Sequence, residues 1–216
     1  MRVIVFAKGP VPGAAKTRLI PALGADGAAR LHEWLVERAL ETACTARLGP
    51  VELCCAPDQA HPFFAACAAR FSVSLTDQGT GDLGERMHGA LAAGLPAMLI
   101  GADCPAMTPE YLRDGAGALA AGYDVVLGPA EDGGYVLIGA NRTRPDAFAR
   151  IRWGGPDVMA EQQVRLRSIG WRWMELAPLW DVDRLDDLER VRREIPGGAA
   201  LLTALAPREG AGEHPG

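Results

Sequence analysis

The sequence predicts an α/β fold: a mostly parallel sheet with helices on both faces. Three observations carry this. Strand-like and helix-like segments alternate along most of the chain, which is the pattern of a parallel sheet. The strands read as short unbroken apolar runs, as expected when both faces of a sheet are covered. A cationic loop rich in Gly and Pro follows the first strand, where open α/β sheets place their ligands. With 216 residues, 49% of them hydrophobic, the chain can bury a sizeable core. Residues 1–195 read as one domain, and the Gly-, Ala- and Pro-rich stretch 196–216 as a largely disordered tail.

Element by element, Val3 to Phe6 form the first buried strand. Asp26 to Ala46 is helical, with Leu31, Leu35 and Ala39 along one face. Val51 to Cys55 is a short strand, and Pro62 to Arg70 an alanine-rich helix. Phe71, Val73 and Leu75 alternate with Ser72 and Ser74, which predicts a half-exposed strand. Asp82 to Gly94 is the next helix, and Met98 to Asp103 a buried strand that ends on a carboxylate. Thr108 followed by Pro109 and Glu110 is a helix start: a capping hydroxyl, proline at the first position, and an acid at the positive end of the dipole. Asp124 to Gly128 and Tyr135 to Gly139 are two strands joined so briefly that one must run antiparallel. Trp171 to Leu176 and Arg184 to Arg193 close the pattern as strand and helix.

Composition removes several functions. A net charge of −5 does not suit nonspecific nucleic-acid binding, which needs a broad basic surface. A small anionic ligand at a local cationic loop fits better. No run of about 18 apolar residues is present to span a membrane, and the short apolar start, ended by Lys8, is no secretory signal. Cys44, Cys54, Cys55, Cys67 and Cys104 lack zinc-type spacing and read as free thiols of a cytoplasmic protein. His32, His61, His88 and His214 have no motif partners, so nucleophilic catalysis is not favoured.

The loop Lys8-Gly-Pro-Val-Pro-Gly-Ala-Ala-Lys-Thr-Arg18 resembles a P-loop without matching one. Three residues, not four, separate Gly9 from Gly13, and two alanines intervene before Lys16. Pro10 and Pro12 offer no N–H. Phosphate would therefore be held by the side chains of Lys8, Lys16 and Arg18, with Gly13 letting the backbone approach. A degenerate P-loop NTPase is the minor alternative, and an exposed turn with solvated lysines the bland one.

Four other constellations could carry chemistry. Asp103 sits at a strand tip, in the crevice where hard oxygen donors can share Mg²⁺ or Mn²⁺ with phosphates; a turn or capping role is the other reading. Asp181 and Asp183 precede a helix and on their own decorate its start; they gain meaning as partners of Asp103. Glu131-Asp132-Gly133-Gly134 is first a turn, and its acids could orient an acceptor hydroxyl. Gln78 to Met87 brings Gly81, Asp82 and Arg86 to a helix start that can hold an anion, or is simply a strand-to-helix loop. Trp153, Trp171, Trp173 and Trp180 are read as packing residues, with Trp153 also a candidate wall of an acceptor pocket.

Taken together, Ala7 to Leu19, Gly81-Asp-Leu-Gly-Glu-Arg-Met87, Gly101-Ala-Asp-Cys-Pro105, Leu127 to Tyr135 and Asp181-Val-Asp183 resemble the bacterial DUF2064 proteins, also called radical-SAM/selenodomain-associated transferase 1. The resemblance spans residues 2 to 193. It implies the nucleotide-diphospho-sugar transferase superfamily: a Rossmann-like three-layer α/β/α sandwich of glycosyltransferase-A type with a mixed, mostly parallel sheet. It further implies that Lys8, Lys16 and Arg18 hold nucleotide phosphates and that Gly81 to Arg86 faces the base. Asp103 matches the superfamily's metal-binding aspartate, Asp183 the second carboxylate, and Asp181 is a further candidate. Related chains carry Thr-Pro where this one has Arg184-Leu185, and often Ser or Thr where it has Gly154.

The expectation is a Mg²⁺- or Mn²⁺-dependent transferase acting on an activated nucleotide. Glycosyl transfer from a nucleotide-diphospho-sugar comes first, and nucleotidyl transfer with pyrophosphate release is the alternative. A non-catalytic nucleotide-binding accessory protein is the rival class. Asp103, Asp132 and Lys16 are the expected catalytic residues. Lys8, Gly13, Arg18, Gly81, Asp82, Arg86, Gly133 and Gly134 join Lys16 and Asp132 in binding substrate. The partners are a nucleotide or nucleotide-sugar and a small-molecule acceptor.

Overall fold

A computed structural model describes residues 1–207. Where the sequence suggests one domain over 1–195, the chain divides into two compact units. The first comprises Met1–Gly9 and Leu35–Asp181, the second Pro10–Trp34 and the described residues from Val182 onward.

The first unit holds the sheet. Among the described residues its strands are β1 (Arg2–Lys8), β2 (Val51–Ala56), β3 (Ser74–Asp77), β4 (Ala97–Gly101), β5 (Val125–Pro129), β6 (Tyr135–Ala140) and β7 (Trp173–Glu175). Their order is β3-β2-β1-β4-β6-β5-β7. Every pairing is parallel except those of β6, which runs antiparallel to both β4 and β5. β6 is the antiparallel member that the short connection after β5 demands.

Side chains alternate across each strand, so the apolar runs feed two cores. Val3, Val5 and Ala7 of β1 join Leu53, Met98 and Ile100 on one face. There they pack against the later part of α1 (Ile20–Ala46), through Val36, Leu40 and Ala43, and against α2 (Pro62–Phe71) and α4 (Pro109–Ala120). Ile4 and Phe6 join Cys54, Leu99, Leu127 and Ile138 on the other face. That face is covered by Met87 and Leu91 of α3 (Leu83–Ala92) and Leu166 of α5 (Val158–Ser168). Helix, sheet and helix make the three layers.

The second unit contains the loop after β1, the start of α1, α6 (Leu185–Glu194) and α7 (Gly198–Leu205). The whole of α7 lies inside the segment 196–216 expected to be a largely disordered tail; Leu202 and Leu205 are buried, which the Gly-, Ala- and Pro-rich composition did not suggest. Residues 208–216, the rest of that expected tail, and with them His214, lie outside the described residues.

Three boundaries differ from the sequence reading. α1 starts at Ile20 rather than Asp26, with Gly24 at φ 68, ψ 170 interrupting its helical geometry. The alternating Phe71 to Leu75 stretch is not a strand throughout. Phe71 ends α2, Ser72 closes it in a left-handed conformation (φ 55) with its N–H donating to the Ala68 carbonyl, and β3 begins only at Ser74. α5 had no clear sequence signal, because the middle one of its buried positions Val158, Gln162 and Leu166 is polar, which breaks the apolar period.

Candidate functional site

The chain turns away from β1 toward β2 on one side, while β4 takes the other side of β1. The carboxyl tips of β1 and β4 therefore flank a topological switch point, where open α/β sheets bind ligands. Lys8 ends β1 at this tip and Asp103 follows β4 by two residues. The loop after Asp103 is anchored by Arg38, whose Nε donates to the Pro105 carbonyl at 2.7 Å.

Asp181 lies in the same neighbourhood, although far away in sequence. Burial pushes the Cys104 thiol up to about 12, and the charges of Asp181 and Asp103 add to that shift against backbone hydrogen bonds at Met107 and Ala106. Two carboxylates thus act on one short stretch at the β4 tip. The segment leading to Asp181 reaches it along β5: Leu179 N donates to the Pro129 carbonyl at 2.9 Å, and Glu131 N to the Leu179 carbonyl at 3.0 Å. Burial also raises the Cys54 thiol to about 11 and Cys55 to about 12, so these are neutral packing groups and not nucleophiles.

Helix α3 and the turn at Asp132 face a common cavity. Its volume is about 220 Å³, and Leu83, Met87, Asp132 and Gly134 all line it. Asp82 caps α3. Its Oδ1 accepts from Glu85 N at 2.9 Å, and Glu85 Oε2 accepts from Asp82 N at 2.9 Å, a reciprocal box that satisfies two helix-end donors. Asp82, expected to touch substrate, is thus occupied as a cap. Gly81 precedes it at φ 94.

Arg86 folds back onto its own loop, its guanidinium donating to Gln78 Oε1 at 3.2 Å and to the Asp82 carbonyl at 3.3 Å. Gln78 is buried, and its amide donates to the carbonyls of Ala7 in β1 and Cys54 in β2. The sequence reading gave Gln78 no role. Its one signal was a long amide opening a glycine-rich loop that leaves the sheet.

Asp132 is exposed and its Oδ1 accepts from Gly134 N at 2.9 Å, so it does shape the turn. Gly133 sits at φ 93, and a Cβ there would lie 1.9 Å from the Pro156 carbonyl oxygen. Its own carbonyl accepts from Met159 N at 2.8 Å, which ties the turn to the start of α5. Gly133→Ala should therefore destabilise the fold by about 2–4 kcal/mol, since a left-handed backbone and a backbone collision must both be relieved. Urea unfolding of the two proteins reads this directly, and an unchanged midpoint would contradict it.

Four expected site residues, Gly13, Lys16, Arg18 and Asp183, belong to the second unit. Lys16 takes a left-handed conformation (φ 48, ψ 44) that costs energy for a side chain of its size. Its Nζ donates to the Val182 carbonyl at 2.6 Å. Gly13 turns the loop at φ 81. Arg18 and Asp183 form an exposed ion pair, and Asp183 N donates to Asp187 Oδ2 at 2.9 Å. Such a pair contributes little to stability in water, which leaves the guanidinium available to a phosphate.

The resemblance implies a divalent cation, and the donor chemistry fits one. Asp103 and Asp181 of the first unit offer carboxylate oxygens, the ligands that Mg²⁺ and Mn²⁺ take alongside substrate phosphates. Among the described residues no three or more His, Cys, Asp and Glu side chains come together as a metal-holding group.

Residues 39–155 match DUF2064, a family described as uncharacterised and found in bacteria. A protein of Desulfovibrio desulfuricans G20, provisionally named a nucleotide-diphospho-sugar transferase, is 32% identical, with 94% of this chain and 95% of that one covered and a TM-score of 0.81. A nucleotidyl transferase from Methanothermobacter thermautotroptrophicus is 14% identical over 94% of this chain and 98% of its own, with a TM-score of 0.58. Glucosyl-3-phosphoglycerate synthase from Mycobacterium tuberculosis, solved with Mn²⁺, UDP and glucosyl-3-phosphoglycerate, is 12% identical, covers 97% and 81%, and has a TM-score of 0.53. At those identities the last two speak for the fold alone. No curated protein matches the chain. No helix among the described residues is long and apolar enough to cross a membrane.

Proposed function

The chain belongs to the DUF2064 family, and on that premise we propose that it is a metal-dependent transferase acting on an activated nucleotide, a glycosyltransferase that uses a nucleotide-diphospho-sugar. One observation carries the reading: the switch point of the sheet has a lysine at the β1 tip and, beyond the β4 tip, Asp103, with the charge of Asp181 reaching the adjoining residue. Similarity to the Desulfovibrio protein supports the substrate class.

In this reading Asp103 would supply a carboxylate oxygen to the cation, and Asp181 would be a further oxygen donor. A bound Mg²⁺ or Mn²⁺ would neutralise charge on the pyrophosphate. Lys8, Lys16 and Arg18 contact phosphate and stabilise the charge that grows on the leaving group. Arg86, held by Gln78, faces the nucleoside. Asp132 accepts the proton of the acceptor hydroxyl, the usual task of a carboxylate when an alcohol becomes a nucleophile.

A thermal-shift screen of nucleotides and nucleotide-sugars, with and without Mn²⁺, tests the reading. A ligand at 100 times its Kd stabilises the native state by about 2.7 kcal/mol, or about 5–11 °C for a chain of this size. The expected result is a shift of that order for a nucleotide-sugar only when Mn²⁺ is present. Absence of any nucleotide-dependent shift would overturn it. Release of a nucleoside diphosphate on turnover marks glycosyl transfer; release of pyrophosphate marks nucleotidyl transfer.

Arg18→Ala should weaken nucleoside-diphosphate binding by about 10- to 150-fold, the worth of one charge-assisted hydrogen bond of 1.5–3 kcal/mol. Binding of the unphosphorylated nucleoside should be unchanged. Calorimetry with UDP and uridine checks both, and an equal loss for the two ligands would contradict phosphate contact.

A further inference from the structure

The cavity beside Asp132 has a chemistry that neither a sugar nor a nucleotide phosphate would choose. Its walls are Phe6, Leu83, Met87, Leu99, Val158 and the indole of Trp153, with neighbouring β6 side chains. The polar groups near it are few. The Tyr135 hydroxyl is spoken for by Gln162 Oε1 at 3.2 Å, and burial raises its pKa, so it stays a neutral phenol. Asp132 stands at the rim with one carboxylate oxygen on Gly134 N, and among the described residues no cation pairs with it. Trp153 Nε1 is buried and has no acceptor among the described residues.

The indole of Trp153 is fixed in place. It lies on Gly84 so closely that a Cβ there would come within 2.6 Å of the ring, and Tyr135 meets it edge-on at 6.3 Å between centroids. A rigid aromatic wall, aliphatic sides and one carboxylate at the rim form a preformed apolar site with a single orienting group. A hexose buried here would leave most of its hydroxyls without partners, at a cost per group that such a site cannot recover. An apolar cavity of about 150 Å³ already takes benzene, so about 220 Å³ suits one ring or branched aliphatic group with a few further atoms.

We propose that this cavity is the acceptor subsite and that the acceptor is a small alcohol with an apolar body, its ring or branched chain in the cavity and its hydroxyl at Asp132. The assignment as acceptor rests on the transferase reading above. It names the substrate class of that reaction: a lipophilic alcohol, not a sugar.

Titration of the full chain with benzyl alcohol, toluene, glucose and uridine tests this without any nucleotide-sugar. The readout is the Trp153 indole N–H resonance, identified by its loss in Trp153→Phe. Benzyl alcohol should shift that resonance at a single site, toluene more weakly, and glucose and uridine not at all. In Asp132→Asn the advantage of benzyl alcohol over toluene should shrink several-fold, with toluene unaffected. Val158→Phe and Leu83→Phe, which fill the cavity from two walls, should each weaken benzyl alcohol at least fivefold. A shift produced by glucose or uridine, or none by benzyl alcohol, overturns the proposal even if neither filling variant folds. Apolar-alcohol binding in a chain that ignores every nucleotide would keep the cavity and remove the transferase reading; nucleotide binding with an indifferent cavity would do the reverse.

Discussion

Asp103→Asn is expected to abolish Mn²⁺-dependent nucleotide binding while leaving the fold intact. The substitution keeps size and shape but removes the charge that a hard cation needs. Changes one shell further from a metal already cost about 10- to 100-fold in affinity, so loss of a direct carboxylate should exceed about 100-fold. Stability should hold, because the amide fills the same space and its oxygen can still accept a hydrogen bond. Calorimetry of Mn²⁺-nucleotide binding, paired with a melting curve, checks both halves. Wild-type affinity in the variant would return Asp103 to a turn residue before Pro105.

Asp132→Asn should act on turnover alone. The amide oxygen of Asn can still accept from Gly134 N, so the turn and the melting temperature should persist. What disappears is the base. Positioned proton transfer contributes typically about 10²- to 10⁴-fold, and kcat with an apolar alcohol acceptor should fall by that factor. Nucleotide affinity should stay near wild type. Steady-state kinetics beside a nucleotide titration separates these effects, and undiminished kcat would leave Asp132 a purely structural residue.

How far the sequence reveals this protein differs from element to element. β1 and β4 were legible because both faces of each are covered, and a strand covered twice must be apolar at nearly every position. The start of α4 was legible because a capping hydroxyl, a proline and an acid are local signals: Thr108 does accept from Tyr111 N. α5 was not, since the middle of its three buried positions is Gln162, whose amide is satisfied by the distant Ala147 carbonyl and which breaks the apolar period. α7 was missed for another reason: its Ala and Leu favour a helix, but the Gly and Pro on either side of it make the segment read as a tail. Asp82 illustrates the limit at a single residue. An acid at a glycine-rich helix start reads equally as ligand contact or cap, and only the paired bonds with Glu85 show it capping.

The sequence by itself determined the alternating α/β order, the family, the cationic loop after the first strand and the acids that end or follow later strands. Each of these follows from residue type and near-neighbour spacing, the terms in which local physics acts. Tertiary structure decided the rest. It ran β6 antiparallel between β4 and β5, and it carried the charge of Asp181 to Cys104. It also clamped Gln78 between the carbonyls of two strands and enclosed an apolar cavity between Trp153 and Leu83. These features join residues tens of positions apart, and their energies come from excluding water and matching shape across the fold, which no local stretch of sequence encodes.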